Sequence, residues 1–96
     1  MMQKAHILEY LKSSKDEFAR RFSVLRIGLF GSILHGDQEP DSDIDIIVEM
    51  EHPTFDNYMD LKFHLEEVFG REVDLVLSDS IKPRLRTVIT SEAVYA

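Results

Sequence analysis

Residues 31–50 read GSILHGDQEPDSDIDIIVEM. The apolar residues Ile44, Ile46, Ile47 and Val48 mark a buried strand, yet Asp43 and Asp45 stand at its start. Side chains alternate across a strand, so Asp43, Asp45 and Ile47 share one face while Ile44, Ile46 and Val48 share the other. The second set belongs to a core. The first brings two carboxylates together, and two such charges about 4 Å apart repel by roughly 4 kcal/mol at an effective dielectric of 20. A strand gains no stability from that pair unless a cation lies between its members. All-oxygen ligation suits a hard ion, Mg²⁺ or Mn²⁺.

Calcium in an EF-hand loop is a competing reading, because Asp41, Asp43 and Asp45 occupy the spacing of its first three ligands. That loop needs Gly at its sixth position and Glu at its twelfth. The chain has Ile46 and His52 there, which excludes it.

Upstream, Val24 to Phe30 (VLRIGLF) is an apolar run read as a strand ending at Gly31. Gly31 lets backbone approach a bound group, and Ser32 opens a short helical turn to Gly36 whose free N–H groups suit an anion. Taken alone, Ser32 reads better as a cap of that turn. Ten residues separate Gly31-Ser32 from Asp43, and a polar loop over 37–42 can bring the chain back over the aspartates. Downstream, Glu72 to Leu77 (EVDLVL) is a third strand, with Val73, Leu75 and Leu77 on one face and Asp74 alone on the other. If it neighbours the second strand, Asp74 joins the pair. Carboxylates on adjacent strands are the usual protein part of a two-metal site, whose ions about 3.5–4 Å apart clamp a phosphoryl group.

The remaining segments are helical. Ile7, Leu8, Leu11, Phe18 and Phe22 recur at helical spacing over 3–22. Thr54 is placed to cap a helix whose wide apolar face runs from Phe55 to Phe69 and which ends at Gly70. Pro83 opens a last short helix to about Ser91, and 93–96 reads as a tail. The order α-β-α-β-α-β-α predicts an α/β (α+β) fold, a small mixed sheet flanked by helices, as one domain over 1–96.

The 96-residue length accommodates one core and leaves little material for a separate substrate lobe. There is no cysteine, which excludes disulfides and thiolate chemistry. No apolar stretch reaches a membrane span and the N-terminus is interrupted by charges, so a cytoplasmic protein is expected. The net charge of −7 disfavours direct nucleic-acid binding and suits a basic protein partner. It also requires local devices, ions and backbone N–H groups, to hold any anionic substrate.

The pattern Gly-Ser, ten residues, Asp-x-Asp and a later strand aspartate resembles the nucleotidyltransferase superfamily of the DNA polymerase β type, and within it the minimal (MNT) branch. The resemblance covers most of the chain and implies the polymerase β-like nucleotidyltransferase fold. It further implies that Asp43, Asp45 and Asp74 bind two Mg²⁺ ions and that Gly31 and Ser32 hold the phosphates of ATP. Many members carry Arg after Gly-Ser, where this chain has His35 before Gly36. Arg forks onto phosphate and His does not, so His35 is left out of the site. Members of the branch pair with a helical HEPN protein, often an RNase toxin, and transfer AMP to its tyrosine as antitoxins. The alternative is a binding module with a degenerate metal site that neutralises its partner by occlusion.

Overall fold

The computed structural model describes residues 4–31 and 43–96. Helices α1 (Lys4–Ser13) and α2 (Lys15–Phe22) lead into strand β1 (Val24–Leu29). Strand β2 (Ile44–Met50), helix α3 (Phe55–Phe69) and strand β3 (Val73–Leu77) follow. A 3₁₀ turn (Ser78–Ser80), helix α4 (Pro83–Glu92) and strand β4 (Val94–Tyr95) complete the chain. The predicted helical turn over 32–36 and loop over 37–42, with Ser32 and His35, lie outside the described residues.

Three expectations change. The single helix over 3–22 is two, broken at Ser14, whose backbone sits at φ −102°, ψ 3°. Consecutive serines compete for backbone hydrogen bonds and weaken a helix interior, and the apolar phase survives the break because Ile7, Leu11, Phe18 and Phe22 are all buried. The expected tail over 93–96 contains β4, which pairs antiparallel with β1. Two residues carry no alternation to read, so pairing alone defines that strand. Finally, β2 and β3 each begin one residue later than the sequence suggests, at Ile44 and Val73.

The sheet is mixed, in the order β3-β2-β1-β4. β1 runs antiparallel to β2, with Leu29 opposite Ile46 and Ile27 opposite Val48. β2 runs parallel to β3. One face carries Ile27, Leu29, Ile44, Ile46, Val48, Val73 and Leu75, which pack with Ile7 and Leu11 of α1, Phe18 and Phe22 of α2, and Leu61, Leu65 and Phe69 of α3. Each such side chain contributes roughly 1.5–3 kcal/mol on burial, so this layer fixes the strands that carry the aspartates. Ile47 is also fully buried although it points to the other face, as alternation requires.

The caps of α3 match their sequence signals. The Thr54 hydroxyl accepts a hydrogen bond from the Asn57 N–H at 3.1 Å, and Gly70 closes the helix at φ 66°. Tyr58 on this helix donates its hydroxyl hydrogen to the Leu75 carbonyl, fastening α3 to the sheet edge.

Candidate active site

Asp45 and Asp74 are register partners in the parallel β2–β3 pair. Residues so paired lie on adjacent strands about 4.8 Å apart and point to the same face. Both aspartates therefore stand on the face opposite the helical layer, at the N-terminal ends of their strands. Asp43 lies one residue ahead of β2 and is exposed, as is Asp74, while Asp45 is half-buried. Outside the strand, the Asp43 side chain is not directed by pleating.

The C-terminal end of β1 meets this edge from the other side. The Phe30 N–H donates to the Asp45 carbonyl at 3.1 Å, so the chain passes the aspartate just before turning at Gly31. Gly31 has φ 76°, in the left-handed region that glycine enters without steric cost. A Cβ at this position would lie 2.9 Å from Asp45 Cγ and closer still to Oδ2. The Asp45 carboxylate thus fills the space that any other residue at 31 would need. Gly31 therefore lies directly beside the Asp45 side chain.

Two hydrogen bonds align the strand ends. Ile44 N–H donates to the Glu72 carbonyl at 3.0 Å, joining the start of β2 to the start of β3. Val73 N–H donates to Glu66 Oε2 at 3.0 Å, tying the start of β3 to α3. Glu66 also accepts from Lys62 Nζ at 3.3 Å. The Val73 hydrogen bond holds the Glu66 carboxyl below its ordinary value, with Lys62 adding to the effect and partial burial opposing it. In the sequence, Glu66 reads only as the second half of an i,i+4 pair with Lys62. Nothing in the pattern shows that it reaches the backbone beside Asp74.

The donor set suits a divalent cation. It is all oxygen, it is anionic, and strand register holds two of its members side by side at an edge closed by a glycine turn. Among the described residues, no three acidic or histidine side chains converge closely enough to form a complete metal-binding group. Register aligns the backbones of Asp45 and Asp74, while the exposed side chains of Asp43 and Asp74 have room to turn outward.

The sequence matches the nucleotidyltransferase domain family over residues 11–96. The chain belongs to the nucleotidyltransferase family. This nucleotidyltransferase is 36% identical over 96 residues to the protein adenylyltransferase MntA of Thermococcus cleftensis, covering 99% of this chain and 97% of that one. A solved structure described as a minimal nucleotidyltransferase superposes with a TM-score of 0.75 at 32% identity, covering 97% of this chain and 95% of the other. A toxin–antitoxin complex crystallised with AMP-PNP superposes at 0.69 and 25% identity, covering 88% of the nucleotidyltransferase and 70% of that chain. The mixed sheet with its helices is the minimal nucleotidyltransferase fold that the sequence pattern implied. Among the described residues, no helix is long and apolar enough to cross a membrane.

Proposed function

We propose that this nucleotidyltransferase moves AMP from ATP onto a hydroxyl of a partner protein, a tyrosine of a HEPN toxin, and so acts as an antitoxin. The observation that carries the reading is the parallel register of Asp45 with Asp74 beside the turn at Gly31. Its support outside the fold is the activity in the name of the Thermococcus relative and the ATP analogue in the related toxin–antitoxin complex.

Asp43, Asp45 and Asp74 would hold two Mg²⁺ ions. When bound, such ions stabilise charge on a transferring phosphoryl group and lower the pKa of a coordinated hydroxyl. The chain's own residues then have distinct tasks. Asp45, fixed by β2 and pressed against Gly31, sets where phosphate oxygens sit. Gly31 and Ser32 supply donors to the β- and γ-phosphates. Asp74, exposed on the edge strand, would stand nearest the acceptor hydroxyl and assist its deprotonation as the hydroxyl attacks the α-phosphorus. The new bond joins acceptor oxygen to phosphorus, and the bond to the leaving pyrophosphate breaks.

The test combines purified chain, Mg²⁺, ATP labelled at the α-phosphate and a cognate HEPN-domain protein. Label on the HEPN protein, absent with Asp45→Asn and Asp74→Asn, is the expected result. Protection of cells by Asp45→Asn without any labelling would instead favour neutralisation by occlusion.

A further inference from the structure

Helix α3 carries a second feature, on the side away from the sheet. It buries Leu61, Leu65 and Phe69. Phe55, Met59 and Phe63 recur every four residues, so each turns only about 40° around the axis from the one before. They form one continuous stripe, with Phe63 facing nearly opposite the buried side. Phe55 is 76% exposed and Phe63 56%, and Met59 is half-buried. A single exposed apolar residue is ordinary, but two phenyl rings and a methionine in a row have the composition of a protein interface. Beside Phe63 a groove of about 420 Å³ opens between α2 and α3, lined by Arg21, Phe22, Asp60 and His64.

The border of this stripe is acidic. Asp56, Asp60 and Glu67 are all exposed along the flank of Phe63. The nearby cations are engaged within their own helices, Lys62 with Glu66 and Arg21 with Glu17.

We infer that the outer face of α3 is a docking surface for a helix of the acceptor protein, one that presents an apolar stripe flanked by Lys and Arg. This rests on the function proposed above. Charge selects the occupant. A second copy of this chain, meeting the same face about a two-fold axis, would set Asp56, Asp60 and Glu67 against their own counterparts on a molecule already at −7. A basic-flanked helix places opposite charges there and can pack its ridge into the groove beside Phe63 at ordinary interhelical spacing. Because Asp45 points to the opposite face of the sheet from the residues that α3 covers, a partner held here leaves the aspartates accessible. The surface tethers the acceptor, and the site modifies it.

Titration calorimetry between the purified chain and a cognate HEPN-domain protein tests this. Phe55→Asp/Phe63→Asp should weaken binding by at least about tenfold, since truncating an aromatic anchor commonly does. Both rings are exposed, so the circular dichroism and melting of the variant should match wild type. Asp60→Lys/Glu67→Lys should weaken binding and flatten its dependence on salt. Asp45→Asn should bind as wild type does while transferring no label. Binding by Phe55→Asp/Phe63→Asp within about twofold of wild type overturns the inference, as does self-association of the wild-type chain through these residues. Tight wild-type binding that is lost in the Phe variant, without transfer of label, sustains the docking surface and sinks the transfer reaction. A wild-type chain that binds no partner overturns both.

Discussion

The carboxylate of Asp45 occupies the position that a side chain at residue 31 would take, and the Gly31 backbone is at φ 76°. Two separate constraints therefore fix glycine there. Gly31→Ala should lose about 1–2 kcal/mol from the left-handed backbone alone, and further stability from the displaced carboxylate. Denaturant melts of Gly31→Ala, Asp45→Ala and the double variant separate the two effects. The double variant should be less destabilised than the sum of the singles, because truncating Asp45 removes the closest collision, leaving only its Cβ at 3.1 Å, but not the backbone strain. Strict additivity would show that the contact carries no energy.

Asp74 and Asp45 are like charges in register on neighbouring strands. Such pairs are destabilising unless a cation intervenes, so Asp74→Asn should raise stability by a few tenths of a kcal/mol in EDTA. On the proposed function the same change should lower transfer activity by about 10²-fold or more, since it would remove a charged metal ligand. Millimolar Mg²⁺ should raise the melting temperature of wild type and leave that of Asp74→Asn nearly unchanged. Equal Mg²⁺ responses in the two proteins would remove Asp74 from the metal site.

Much of this edge is legible in the sequence, for reasons that can be located in particular residues. Alternation alone sends Asp45 and Ile47 to one face and Ile44, Ile46 and Val48 to the other, because β2 is long enough to show its period. The adjacency of Asp74 to Asp45 depends on strand order, which periodicity does not encode; the structure supplies it. β4 shows the opposite extreme, since Val94 and Tyr95 are too few to display any period and are defined by their pairing with β1. Glu66 is the instructive omission. Its helical neighbour Lys62 accounts for it at the level of sequence, and only the fold brings it to the Val73 N–H.

That hydrogen bond makes a pH prediction. The Glu66 carboxyl is held below its ordinary value of 4.5, chiefly by the Val73 N–H. Its contribution to stability is therefore fully present above the unfolded value and is lost as pH falls through the lower folded value. Glu66→Gln keeps an acceptor but loses its charge, and should cost about 1 kcal/mol at neutral pH. Urea midpoints measured at neutral pH and near pH 3 should show the difference from wild type shrinking in acid. Glu66→Ala also frees the start of the strand that bears Asp74, so its activity should fall about tenfold, with transfer rate affected more than ATP binding.

Gly28 decides whether β4 can pair at all. A Cβ there would stand 2.6 Å from the Val94 carbonyl oxygen and 2.9 Å from Tyr95 Cα, both backbone atoms of the facing strand. Gly28→Ala should therefore push β4 outward at a cost of about 1–3 kcal/mol, the range for forced overpacking. The Ala96 N–H, bonded to the Ile27 carbonyl at 2.9 Å, reports the displacement by hydrogen exchange. Arg26, whose guanidinium lies 3.9 Å from the centre of the Tyr95 ring, is the matched control. Arg26→Ala removes an exposed cation–π contact of roughly 0.5–1 kcal/mol and leaves the backbone pairing intact. Ala96 exchange should accelerate strongly in Gly28→Ala and only slightly in Arg26→Ala. Comparable acceleration in both would mean that the Tyr95 stack, and not the close approach at Gly28, holds the edge strand.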